Sequence, residues 1–314
     1  MRTGVTYMGH HNPVHLRTDL AAIAALGCDD VLLAAQENDF IYFTGKVDFT
    51  PRLAVEAGLR PIAIFWGALN CFGGGRSSQF LLQHPEGFQV KADGAHHAEG
   101  CYVNPLCVRR IEEMIDVIAG RGYRGYFIDE PTPLDCYCPS CRARFADTVG
   151  GELADADADA KRAFRAACVT DYVTAIAAYC KAHYPHLETS CCVMPHDHAL
   201  WESVAAVPGL DNLGTDIYWV NETRDVEEMT PIVRALADTC RTHGKLHHEW
   251  LQAWTVAAGN EPRITAQGEI LLREQPDALY VWAYLGQIGT TESCADPLLA
   301  WHHATDVLRR AKEL

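Results

Sequence analysis

Short apolar runs alternate with longer amphipathic ones along the whole chain. Residues 4–8, 31–35, 61–66, 125–128, 188–194, 213–219, 246–250 and 278–284 read as strands, several of them rich in the β-branched and aromatic residues that pack on a pleated surface. Between them, 16–26, 51–57, 109–119, 160–183, 200–206, 226–240, 264–274 and 297–312 carry helical spacing. Gly27, Gly58 and Gly244 stand just beyond three of these helices, where a chain leaving a helix favours glycine. Eight strand–helix pairs in 314 residues predict an α/β fold, a single (β/α)8 TIM barrel spanning 1–314. There is no internal repeat, and the alternating Ala–Asp stretch at 154–160 is the one biased tract. No glycine-rich phosphate turn follows the first strand, which argues against a doubly wound nucleotide-binding domain. One connection, 67–102, is long enough to suggest a functional loop.

A barrel turns scattered polar residues into one site, because all strand C-termini open on the same face. The predicted strand ends present His10 and His11, Glu37, Trp66, Asp129 and Glu130, His196 and His198, Asp216 and Tyr218, His248 and Glu249, and Trp282 and Tyr284. Aromatic rings suit the C–H face of a sugar, while histidines and carboxylates suit its hydroxyls. Substrate-binding roles are therefore expected for His10, His11, Glu37, Trp66, Asp129, His196, Asp216, Tyr218, His248, Trp282 and Tyr284. Cleavage of a glycosidic bond needs two carboxyl groups. Glu130 and Glu249 are the candidates. Asp129 raises the Glu130 pKa if both face the mouth, yet neighbours on a regular strand point to opposite faces.

Cys136, Cys138 and Cys141 fall within six residues directly after the fourth strand, a spacing typical of a structural zinc. Together with Glu130 at the strand end and Phe145 in the following helix, this stretch resembles the fourth-strand region of family 42 glycoside hydrolases, the bacterial β-galactosidases. The resemblance covers mainly 101–145. It implies a retaining (β/α)8-barrel glycosidase, with Glu130 as acid/base and a nucleophilic glutamate at the end of the seventh strand, where Glu249 is expected. It also implies a zinc ion held by Cys136, Cys138, Cys141 and an upstream cysteine. Cys101 resembles that ligand, one residue off in local spacing, and Cys107 is the alternative. The family has Asn, a ligand of the sugar 2-hydroxyl, where this chain has Asp129.

Composition narrows the partners. A net charge of −15 argues against nucleic acid, which needs a basic face. No apolar run is long enough to cross a bilayer as a helix. Thirteen cysteines, an odd number, behind an N-terminus that does not read as a secretion signal suggest reduced thiols and a metal site in the cytoplasm. The expected partners are a small carbohydrate or glycoside and, in a homo-oligomer, further copies of the chain. Two alternatives stay open. The histidine pairs, which include His247, could join Glu37, Asp216 or Glu249 around a catalytic metal, as in a sugar isomerase or epimerase. A noncatalytic sugar-binding barrel is the other.

Overall fold

Eight parallel strands close into a barrel in a computed structural model of the chain, which describes residues 1–8, 12–74 and 77–314. The strands are β1 (Arg2–Tyr7), β2 (Asp30–Ala34), β3 (Arg60–Ile64), β4 (Gly125–Ile128), β5 (Glu188–Cys192), β6 (Asn212–Thr215), β7 (Leu246–Gln252) and β8 (Ala278–Trp282). Each pairs with its sequence neighbour, and β1 pairs with β8 to close the ring. The predicted TIM barrel is borne out. Strands buried on both faces read as nearly continuous apolar runs, which is why the sequence betrayed them.

Helix starts follow local chemistry. Asn12, Asn104 and Asp296 each cap a helix with the side-chain oxygen and are each followed by proline at the first helical position. The predicted helix at 51–57 instead runs Thr44–Glu56 with Pro51 inside it. The proline read as a start, but here the helix continues through it.

Two cores result. Leu32, Ile62, Ile64, Phe127, Trp250 and Tyr280 fill the barrel lumen. A larger apolar layer lies between the strands and the surrounding helices. At the N-terminal end of the barrel, Arg60 bridges Asp30 at 2.7 Å and Glu188 at 2.8 Å, and Arg2 reaches Glu188 at 2.8 Å. This floor ties β1, β2, β3 and β5 together, and the Tyr280 hydroxyl adds β8 by donating to Asp30 at 3.1 Å.

The long connection after β3 holds a short helix, Gln79–Gln83, and an antiparallel hairpin of Phe88–Val90 with His96–Gly100. Glu37 pins this excursion by accepting from the backbone N–H groups of Leu69 (2.8 Å) and Phe80 (3.3 Å). No helix among the described residues is long and apolar enough to cross a membrane.

Candidate active site

A pocket of about 160 Å³ lies at the C-terminal mouth of the barrel. Trp66, Tyr218, Trp250, Trp254 and Trp282 form its aromatic walls, and Asp129, Glu130, Asp216 and Glu292 supply its carboxyl groups. Asp129 follows the inward-facing Phe127 by two residues, so alternation carries it into the lumen. Glu130 should then point outward. It does not, because its backbone adopts φ +43°, a left-handed conformation that costs a non-glycine residue energy. The regular alternation ends there, and both acids line the pocket.

Asp216 follows β6 directly and hydrogen-bonds Glu130. Burial, then the Glu130 charge, pushes the Asp216 carboxyl well above the ordinary aspartate range, and the same two causes do so for Asp129. Asp216 meets Glu130 through one of its carboxyl oxygens. Its second oxygen, Oδ1, has no partner among the described residues, and neither do the indole N–H groups of Trp250 and Trp254. Unpaired buried donors and acceptors are costly, so a site that keeps them is shaped for a polar ligand.

Gly73 and Gly74 form the roof. A Cβ on Gly73 would overlap the Asp129 carboxylate, and one on Gly74 would overlap the Trp66 indole. Gly74 also has φ +98°, so glycine is required there twice over. The roof is closed by the Gly67 N–H donating to the Gly73 carbonyl at 2.6 Å.

The sequence candidates divide sharply. Trp66, Asp129, Glu130, Asp216, Tyr218 and Trp282 converge on the pocket. Glu249 does not. β7 runs on to Gln252, two residues beyond the predicted end, so Glu249 lies within the strand rather than at its mouth. His248 and Trp250 face the lumen, which turns His247 and Glu249 toward the helix layer. There Glu249 is fully buried and bonded to His247 Nε2 at 2.8 Å. Burial raises its pKa, against the opposing pull of His247.

His248 lies deep in the lumen with Nδ1 2.8 Å from Asn212 Oδ1, in space that only glycine at position 214 leaves open. His196 is exposed on the rim, and His198 stacks on Trp201 with ring centroids 4.2 Å apart. The Tyr284 hydroxyl donates to Asp19 at 3.2 Å, bracing the helix Pro13–Ala25 instead of lining the pocket. Glu37 anchors the long loop. His10 and His11 lie outside the described residues. The described histidines therefore do not gather around a common ion, as the isomerase alternative requires.

Six lining residues escaped the sequence reading: Gly73, Gly74, Cys192, Trp250, Trp254 and Glu292. Trp250 was legible as an inward position once His248 was placed. Glu292 sits in a loop, where periodicity carries no signal.

Below the rim, Cys101, Cys136, Cys138 and Cys141 are buried with their sulfurs all within 4.8 Å of one another. Cys101 lies 3.5 Å from Cys141 and 3.7 Å from Cys138. Tetrahedral thiolates at about 2.3 Å from zinc stand about 3.8 Å apart, so the donor set fits that ion. Cys107 is not part of the group; its thiol donates to the Gly87 carbonyl at 3.5 Å.

No protein-family model matches the chain, and no curated protein matches it in sequence. Solved structures do. The β-galactosidase of the haloarchaeon Halorubrum lacusprofundi matches with a TM-score of 0.77 at 16% identity, over 100% of this chain and 58% of that one. The β-galactosidase of Marinomonas ef1 matches with 0.74 at 14%, over 99% and 60%. An endo-1,4-β-mannanase from Rhizomucor miehei matches with 0.65 at 12%, over 98% and 95%. The chain thus spans about three fifths of the two β-galactosidases. At these identities the likeness establishes the fold alone, over the whole length of this chain.

Proposed function

We propose that this chain is a glycoside hydrolase acting on a carbohydrate in the pocket at the barrel mouth. One observation carries the reading: indole and phenol walls surround a group of carboxyls in contact with one another. The rings match the apolar face of a sugar, and the carboxyls match the proton transfers of glycosidic cleavage. Glu130 is the general acid, because it is the pocket carboxyl that contacts both a hydrogen-bonded neighbour, Asp216, and the space beneath Gly73. Trp66, Tyr218 and Trp282 bind the sugar. Glu249 has no part in the chemistry.

The four cysteines hold a structural zinc, with no open position for water. Thirteen free thiols suit a reducing compartment, consistent with a cytoplasmic protein.

The test is a panel of aryl glycosides assayed with the protein and its Glu130→Gln variant. Turnover of at least one glycoside is expected, with the variant slower by about 10²–10⁴-fold, the scale of general acid catalysis. The loss should shrink for leaving groups that depart without a proton. Binding of sugars without turnover of any glycoside would identify a noncatalytic barrel instead.

A further inference from the structure

We propose that the nucleophile of this site belongs to the substrate: the pocket cleaves 1,2-trans glycosides of 2-acylamino sugars, and the acylamino carbonyl oxygen attacks the anomeric carbon. This deepens the glycosidase reading and rests on it.

Among the described residues the protein offers an acid after β4 but no carboxylate at the end of β7. The last residue of β7 is Gln252, an amide. Both ends of that amide are engaged: Oε1 accepts from the Val220 N–H at 3.1 Å and Nε2 donates to the Trp254 carbonyl at 3.2 Å. It can neither attack nor take a negative charge. Glu249 faces the helix layer.

Asp216 cannot fill the role either, since it hydrogen-bonds Glu130. Carboxyls that flank a glycosidic bond stand about 5–5.5 Å apart when one attacks and about 6.5–9.5 Å apart when one activates water. A hydrogen-bonded pair is closer than both. Glu292, on the loop after β8, is the remaining pocket carboxyl. With the Gln287 amide oriented to satisfy both its ends, Gln287 donates to Glu292 Oε2 at 3.2 Å and accepts from Trp282 Nε1 at 3.0 Å.

What the site does supply is two consecutive carboxyls aimed into one pocket. A Cβ placed at Gly73 would meet both of them, Glu130 Oε2 at 3.1 Å. Two adjacent acids divide the work of a substrate-assisted cleavage. Glu130 gives its proton to the leaving oxygen as the bond from C1 to that oxygen breaks. The acylamino oxygen forms its bond to C1 on the opposite face. Asp129, whose raised pKa makes its carboxylate a better base, accepts the amide N–H hydrogen bond and then its proton, leaving a neutral oxazoline. Glu130 next takes a proton from water as the water oxygen bonds C1. The C1–amide oxygen bond breaks, and Asp129 returns the proton to nitrogen. The anomeric configuration is retained, and no external reactant beyond water is consumed. The unpartnered N–H groups of Trp250 and Trp254 point to oxygen acceptors on the ligand, and the aromatic walls accommodate the acyl methyl.

The experiment compares 4-nitrophenyl 2-acetamido-2-deoxy-glycosides with their 2-hydroxy counterparts, then substitutes mono-, di- and trifluoroacetyl for acetyl. A kcat/KM about 100-fold or more in favour of the acetamido sugars is expected, the scale at which a missing nucleophile shows. Each added fluorine should lower kcat, because it weakens the carbonyl as a nucleophile. A thiazoline analogue of the cyclic intermediate should inhibit competitively. Equal or faster cleavage of 2-hydroxy glycosides, a kcat indifferent to fluorination, or a covalent adduct on Glu292 from a 2-fluoro glycoside would overturn the proposal and leave the glycosidase reading standing. Cleavage of no glycoside at all would remove both.

Discussion

Asp216 shows how one buried carboxyl is held in a costly state. It lies against Glu130 and carries a raised pKa through burial first and the Glu130 charge second. A carboxyl whose folded-state pKa is raised holds its proton more tightly folded than unfolded. Its burial is therefore cheap below the unfolded value, and its cost grows as pH rises toward the folded value. Asp216→Asn removes that cost. The variant is expected to melt about 2–4 °C above the parent at pH 8, with the gap closing toward pH 4, while glycoside turnover collapses. Melting curves at the two pH values check this; a Tm below the parent at pH 8 would show that Asp216 stabilises the fold. The Glu130 backbone belongs to the same bargain, since its left-handed φ is what aims two consecutive acids into one pocket.

At the scale of elements, the connection between β4 and the helix Pro139–Thr148 decides how firmly Glu130 is held. Two of the four clustered cysteines belong to it, Cys141 lies in the first turn of that helix, and Cys101 reaches them from just beyond the hairpin strand His96–Gly100. Tyr137 N–H donates to the Val90 carbonyl at 2.7 Å, so the hairpin and the cysteine loop are already joined without a metal. One zinc per chain is expected by elemental analysis. Cys138→Ser should lose the metal and lower both Tm and turnover, since the first cysteine of the group, Cys136, stands six residues after the acid. A metal-free protein with four freely titrating thiols would rule the zinc out. The same scale explains the Glu249 error. Ending β7 at Trp250 placed Glu249 one residue from the mouth, whereas two further residues of strand leave it on the wrong face and too deep. A strand's end is set by where its neighbour still offers partners, here β8 as far as Trp282, and local sequence does not reveal that.

For the molecule as a whole, the two ends of the barrel have opposite electrostatics. The mouth gathers acids against one another, while the floor pairs them with arginines. Burial alone would push Glu188 up, but hydrogen bonds from Arg2 and Arg60 overcome it and bring its carboxyl down to about 2. Glu188 therefore contributes stability that is complete above the ordinary glutamate pKa and is lost as pH falls toward 2. The contribution is at most about 3 kcal/mol. Glu188→Gln should be less stable than the parent at pH 7 and nearly equal to it at pH 2, as read by denaturant melts. A constant difference across that range would place its role in packing.

Sequence by itself determined the barrel, because strands buried on both faces must be apolar runs and helices between them must be amphipathic. It also determined the cysteine group, since three of the four lie within six residues. Half of the pocket, from Trp66 and Asp129 to Tyr218 and Trp282, was readable as polar and aromatic residues at strand ends. Only the tertiary structure decided which way those ends face. A one-residue shift in a strand exchanges lumen for helix layer, which separated Trp250 from Glu249. A single left-handed residue cancels that exchange, which joined Glu130 to Asp129. Loop residues such as Gly73 and Glu292 carry no periodicity, and their place was set by what the closed barrel left room for.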